Sequence, residues 1–367
     1  MSFMFNPYPY DDPHAYNRLD TAGLKLSEAI AGSPAAAAAA GMRAAEIAEE
    51  KGRCVIAVDG YSAVPIDVFC NLMEQYFHLQ MIPAVSVETE SLWIGAGEAE
   101  NMLAGNLPED REKDPVLLYG KLYEGTYEDF FDGTKLSGAV ERIEEFKKSG
   151  SGVLIIWGYG ALCDTLRRFC DLKIYLDATP KETMLRLKRG TYRNIGAVYA
   201  MGFKQMARRC YYVDFELAAK LRFRLLREKQ LDGYVIADDP EEMTWLPFEL
   251  VESIFSRAME YPLRCKPVYL EGVWGGYYVQ KLRSLPKEMK NCAWVFDMIP
   301  MEVSIVLELA ERRFEFPFYT MVQSQGEKLM GKRSVDTFGY YFPVRFNYDD
   351  TYHSNGNMSI QCHPDAD

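Results

Sequence analysis

The sequence predicts an α/β chain, a doubly wound and mostly parallel sheet domain followed by a β-rich segment. Three observations carry this. From Arg53 to about Met259, short apolar runs alternate with amphipathic helical stretches, the pattern of a parallel sheet covered on both faces. After Tyr261-Pro262 the alternation stops, and short aromatic strands follow one another. The composition, 48% hydrophobic and 26% charged over 367 residues, is that of globular protein with room for two sizeable cores. The expected divisions are residues 1–50 (an arm and helices), 51–262 (the α/β domain) and 263–367 (the β segment).

Residues 1 to about 20 are rich in Pro, Tyr and Asp and lack periodicity; they read as an extended arm held through Phe3, Phe5, Tyr8 and Tyr10. Leu24 to Glu50 reads as helix interrupted at Gly32-Ser33-Pro34, where Ser33 can cap and Pro34 can start a second helix that stops at Gly52. Cys54 to Asp59 is a buried-strand run, followed by Ile66, Phe69, Cys70, Met73 and Phe77 at helical spacing. Leu136, Val140 and Ile143 mark a helix before the strand Val153 to Trp157. Leu172 to Asp177 is a strand, and Pro180 opens a helix to Lys188. A long basic helical stretch covers Asn194 to Gln230, then a strand at Gly233 to Asp238 and a helix from Pro240 to Met259. Beyond the boundary, strands are expected at 266–270, 292–298, 302–309, 314–321 and 342–348, the third with Val303, Ile305, Leu307 and Leu309 on one face.

The formal net charge of −12 argues against a nucleic-acid binder, which needs a basic face. Eight scattered cysteines fit a reducing compartment better than a disulfide framework. The first twenty residues lack the basic-then-apolar pattern of a signal peptide and no apolar run approaches the ~20 residues needed to span a bilayer, so the expectation is a cytoplasmic protein with no membrane partner. The sequence does not set the oligomeric state.

The run Val55-Ile-Ala-Val-Asp-Gly-Tyr-Ser62 resembles the opening of uridine kinase and related P-loop kinases, where a strand runs into a phosphate-binding loop. Asp171 to Asp177, with Arg186 and Arg189, resembles their later strand and the basic segment after it. A working loop reads G-x-x-x-x-G-K-[ST]: amides cradle phosphates, the lysine neutralises them and the hydroxyl holds magnesium. Counted from Gly60, Pro65 stands at the second glycine, Ile66 at the lysine and Asp67 at the hydroxyl residue. Pro65 removes a donor, Ile66 the cation, and Asp67 adds negative charge. The expectation is a kinase-like scaffold with a degenerate loop and no nucleotide-binding residues, in a structural or regulatory role. Weak nucleotide binding without transfer is the alternative. Arg186, Arg189, Arg193, Arg208 and Arg209 could form a phosphate-closing lid; a solvated helix face is the reading preferred.

At the C-terminal end, a strand from Phe342 to Tyr348 and a turn at Asn355-Gly356-Asn357 lead to Gln361-Cys362-His363-Pro364-Asp365. Strand alternation places Ser359, Gln361 and His363 on one face. An amide oxygen and an imidazole can be two ligands of a divalent metal, zinc among them, although such a pair alone is more often ordinary surface. Phe342-Pro-Val-Arg-Phe346 and Asn357 to Asp365 resemble the zinc-ligand segment of the type I (cupin) phosphomannose isomerases, and Pro267 to Gly276, with its Trp274-Gly275 pair, resembles that family's opening. The resemblance implies the beginning of a cupin β-barrel over 263–367, Gln361 and His363 as zinc ligands, and Ser359 near a sugar phosphate. His353 matches no motif and is expected to face solvent.

The function so implied is a zinc-dependent isomerase interconverting mannose 6-phosphate and fructose 6-phosphate, zinc stabilising the enediol-type charge and an unassigned base moving the proton. The remaining zinc ligands are expected beyond Asp367, so the chain as given is expected to be inactive. Two alternatives stand beside it: a nucleoside or small-molecule kinase-like protein with an atypical loop, and a non-catalytic sugar-sensing cupin.

Overall fold

The computed structural model describes residues 5–352, 356 and 357. Thirteen strands are assigned among them, β1 (Asn17–Arg18), β2 (Ile30–Ala31), β3 (Arg53–Gly60), β4 (Ala84–Glu88), β5 (Gly152–Trp157), β6 (Leu172–Asp177), β7 (Gly233–Ile236), β8 (Thr244–Pro247), β9 (Val268–Leu270), β10 (Trp294–Met298), β11 (Ser304–Leu309), β12 (Arg312–Pro317) and β13 (Phe346–Asp349). The helices are α1 (Ser33–Lys51), α2 (Ile66–Leu79), α3 (Ala96–Leu103), α4 (Gly133–Ser149), α5 (Asp164–Arg167), α6 (Pro180–Arg189), α7 (Phe203–Arg209), α8 (Phe215–Arg227), α9 (Phe248–Ala258), α10 (Tyr278–Leu282), α11 (Phe318–Met330) and α12 (Lys332–Phe338). None of these helices is long and apolar enough to cross a membrane.

A seven-stranded sheet in the order β2-β8-β7-β6-β3-β5-β4 organises the α/β half. Its centre is parallel, and β8 and β2 close one side antiparallel. Side chains alternate along the central strands into two separate cores. Ile56, Val58, Ile155 and Ile174 face α1 and α2, while Val55, Ala57, Leu154 and Tyr175 face the opposite core. Burial on both faces is why these strands read as unbroken apolar runs. The architecture is mixed α/β with a large parallel centre, as the alternation of the sequence predicts.

Helix α1 lies close because its inner face is small: Ala36, Ala37, Ala40, Gly41 and Ala44 are buried. A Cβ on Gly41 would meet the Tyr76 ring of α2 at 2.5 Å. Gly52, with φ of 81°, ends the helix in the left-handed region. Ser33 does not cap α1. Its hydroxyl donates to the Pro240 carbonyl and accepts from Met243 N–H, tying α1 to the approach of β8.

Several expectations change. The stretch read as one helix from Pro240 contains β8 first, and α9 begins only at Phe248. The strand expected over 314–321 stops at Pro317, where α11 starts. The strands after residue 262 do not build the beginning of a cupin barrel among the described residues. They divide between the sheets β13-β10-β9 and β1-β11-β12. The physical reason is that β11 is already paired on both edges from within the chain, by β1 and β12, and α11 packs against it.

The boundary expected near residue 262 marks a change of texture and not of core. Phe316 of β12 packs against Phe255 of α9 and Tyr234 of β7, with ring centroids 4.8 and 5.8 Å apart. Thr320 of α11 donates to Asp177 of β6 at 2.7 Å, and Gln323 accepts from Arg222 of α8 at 3.0 Å. The arm crosses the same region. Asn17 donates to the Arg264 and Val306 carbonyls, and Phe5 stacks on Phe296 at 5.9 Å.

Candidate functional site

The strand–loop–helix unit formed by β3, residues 61–65 and α2 opens at the carboxyl edge of the sheet, where ligands of open α/β folds bind. A cleft of about 540 Å³ lies there, between the loop, the end of β4, the turn after β5 and the segment following α6.

The loop's donors are engaged by the protein itself. Gly60 N–H donates to the Asp59 carboxylate at 2.7 Å, and Tyr61 N–H to the Leu176 carbonyl at 2.9 Å. Ala63 N–H donates to the Tyr159 hydroxyl at 3.0 Å. Val64 N–H reaches the Tyr61 carbonyl at 3.3 Å, and Ile66 N–H the Val64 carbonyl at 2.9 Å. Pro65 has no N–H to offer. Gly60 is required by close approach: a Cβ there would sit 2.7 Å from the Leu176 carbonyl oxygen. Ala63 holds φ of 65°, an uncommon conformation for a residue with a side chain. Arg186 fixes it, donating to the Ala63 carbonyl at 2.9 Å and to the Ala237 and Asp238 carbonyls, each at 2.7 Å. Burial lowers the Arg186 pKa, against the pull of nearby Asp238 and Glu182.

The other arginines divide. Arg189 pairs with Glu182 at 3.3 Å, and Arg193 pairs with Glu90 across the cleft. Arg208 and Arg209 are buried, so the solvated helix face expected for them, and for Arg186, is corrected. Arg208 donates to the carbonyls of Tyr119 and Pro108, and Arg209 to that of Ile195. Asp67 and Ile66 line the cleft as the loop pattern implied, and the lining includes no lysine among the described residues.

Beneath the loop lie buried acids. Asp59 also accepts from Leu162 N–H at 2.9 Å, and burial pushes its carboxyl up to about 7 against the backbone donors that favour the charge. Asp214 sits in a π-helical turn, Cys210–Asp214, a feature frequent at functional sites. It accepts from Tyr192 at 2.8 Å and Asn194 at 2.6 Å, and burial raises its pKa. Two polar groups on the cleft wall have no partner: the hydroxyl of fully buried Thr89 and the indole N–H of Trp93. With Trp157, Tyr159 and Tyr192 they form an aromatic, polar-tipped wall that sequence reasoning missed. The available signal was Gly158-Tyr159-Gly160, two glycines at φ of 114° and 87° directly after an apolar strand.

Ser359, Gln361, His363 and His353 lie outside the described residues. Among the described residues, no group of three or more His, Cys, Asp or Glu is placed to hold a metal ion.

A family profile described as "Domain of unknown function (DUF8485)" matches residues 41–260. No curated protein matches. Solved structures match at low likeness. One, described as a fructose transport system kinase from Silicibacter sp. TM1040, is 15% identical over 48% of this chain and 92% of its own, with a TM-score of 0.32. Another, described as a possible uridine kinase from Bacillus stearothermophilus, is 13% identical over 39% of this chain and 84% of its own, at 0.24. Phosphoribulokinase from Rhodobacter spheroides is 12% identical over 78% of this chain and 98% of its own, at 0.33. The isomerase expectation needs the beginning of a cupin barrel, and the division of the C-terminal strands between two sheets overturns the expected mannose-6-phosphate isomerase.

Proposed function

The chain belongs to the DUF8485 family, and from its geometry we propose a kinase-like protein with an atypical loop that binds a small ring-bearing molecule, of the nucleoside class, and transfers no phosphate. The observation that carries this is the engagement of the loop amides. Phosphate binding at such a loop needs several N–H groups aimed at the ligand. Here those of Gly60, Tyr61, Ala63, Val64 and Ile66 already have protein acceptors, and Arg186 locks the loop through the Ala63 carbonyl. Opening it would break several hydrogen bonds at about 1 kcal/mol each. Asp67 and Glu88 on the cleft wall further oppose a triphosphate.

The cleft itself is kept. Its volume suits a small molecule. Trp93, Trp157 and Tyr159 offer flat apolar surface, and the Thr89 hydroxyl and Trp93 N–H offer hydrogen bonds that a neutral polar ring would complete.

Because Trp93 and Trp157 line the cleft, indole fluorescence reports occupancy. Uridine and adenosine titrated into the whole chain are expected to change that fluorescence saturably, with Trp93→Ala weakening the response about ten-fold. ATP with magnesium is expected to give no ADP above a blank, with or without nucleoside. Nucleoside-dependent ADP release would establish a working kinase with an atypical loop. A flat titration with every nucleoside would remove the binding role.

A further inference from the structure

A second and larger cavity, of about 780 Å³, lies between the end of α3, the 104–117 segment and α7. It shares no lining residue with the cleft at the loop. We propose that it is a binding site for an amphipathic anion, an apolar chain ending in a carboxylate. This proposal does not rest on the nucleoside reading.

Two features of the cavity point the same way. Leu103, Leu107, Val116, Leu117 and Met201 supply an apolar wall, and Val116 is 43% exposed beside it. Lys204, Arg111, Arg208 and Arg209 give it four cations against two exposed carboxylates, Glu100 and Glu109. The cations are not equivalent. Arg208 is engaged by the Pro108 and Tyr119 carbonyls, so it fastens the 108–119 loop as the cavity's cover. Arg209 is only 5% exposed, donates one amino group to Ile195, and keeps an Nε–H with no partner.

A buried guanidinium donor left unpaired is unfavourable, and an anionic oxygen satisfies it. A neutral hydrocarbon would fill the apolar wall and leave that donor unpaired. An inorganic anion would pair it and leave the wall wet. An apolar chain with a terminal carboxylate meets both, the head toward Arg209 and Lys204 and the tail along Leu107, Val116 and Met201.

The test titrates decanoate, decanol and inorganic phosphate separately into the whole chain by calorimetry, at concentrations below micelle formation. Decanoate is expected to saturate one site, with decanol and phosphate at least about ten-fold weaker, the scale of one charge-assisted hydrogen bond. Arg209 also supports the Ile195 backbone, so the variants are at exposed positions. Ala104→Trp, which fills the cavity, is expected to abolish decanoate binding, and Lys204→Glu to weaken it about ten-fold, both with an unchanged unfolding temperature. No decanoate binding, equal binding of decanol, or decanoate binding untouched by both variants would each overturn the proposal.

Discussion

Asp59 shows at the scale of one residue how burial and hydrogen bonding compete. Its carboxylate accepts Gly60 and Leu162 N–H groups, which favour the charge, yet full burial outweighs them and the carboxyl rises from 3.8 to about 7. The folded protein therefore holds this proton where the unfolded chain has released it. Its contribution to stability is greatest below about pH 4, falls as pH rises toward 7 and is level above that. Asp238 and Glu302, both also raised to about 7 by burial, add to the same slope. The unfolding temperature is expected to decline from pH 5 to pH 8, and Asp59→Asn, which cannot ionise, to decline less steeply. Equal slopes would show that Asp59 is charged throughout. The residues of the degenerate loop were legible because a phosphate loop has a fixed pattern, and Pro65, Ile66 and Asp67 each break it. Asp59, Thr89 and Trp93 were not, since their significance is the absence or presence of a partner distant in sequence.

At the scale of elements, legibility followed burial. Strands β3, β5 and β6 were plain because both their faces are covered. Strand β4 was missed: of Ala84 to Glu88 only Val87 is buried, so this edge strand carries no apolar signature. The first turn of α11 was read as strand because Phe318-Tyr-Thr-Met321 has high β-propensity. Tertiary context overrides it, burying Phe318, Met321 and Val322 at helical spacing. The β11–β12 hairpin carries a testable strain. Leu309 pairs with Arg312, leaving Ala310 and Glu311 as a two-residue turn with φ of 50° and 64°. Positive φ at both positions is the type I′ requirement, for which Asn-Gly is preferred. Replacing the pair with Asn-Gly is expected to stabilise the protein by about 1 kcal/mol, given about 1–2 kcal/mol per residue for a left-handed conformation with a Cβ. Urea unfolding measures it, and an unchanged or lowered midpoint would count against the turn assignment.

Over the whole molecule, the family match and the fold do not end together. The match stops at residue 260, inside the turn after α9, whereas the core continues through α11. The C-terminal segment supplies Phe314, Phe316 and Phe318 to that core, and Thr320 and Gln323 to the buried Asp177–Arg222 pair. That pair is 0% and 4% exposed at its side chains, so its remaining lone pairs and protons must be met inside the protein. The sequence could not show this, because the texture change at Tyr261-Pro262 is local while the packing that crosses it is not. A chain of residues 30–260 would lose three buried phenylalanines, at about 1.5–3 kcal/mol each, and two hydrogen bonds to buried charges, at about 1.5–3 kcal/mol each. Against a typical total of about 5–15 kcal/mol, that loss is expected to leave it aggregated or loosely packed. Expression of both lengths, followed by urea unfolding and binding of a hydrophobic dye, decides it. A 30–260 chain that stays soluble, excludes the dye and unfolds at the same urea concentration as the whole protein would show that the α/β sheet stands alone and that β11, β12 and α11 only lean on it.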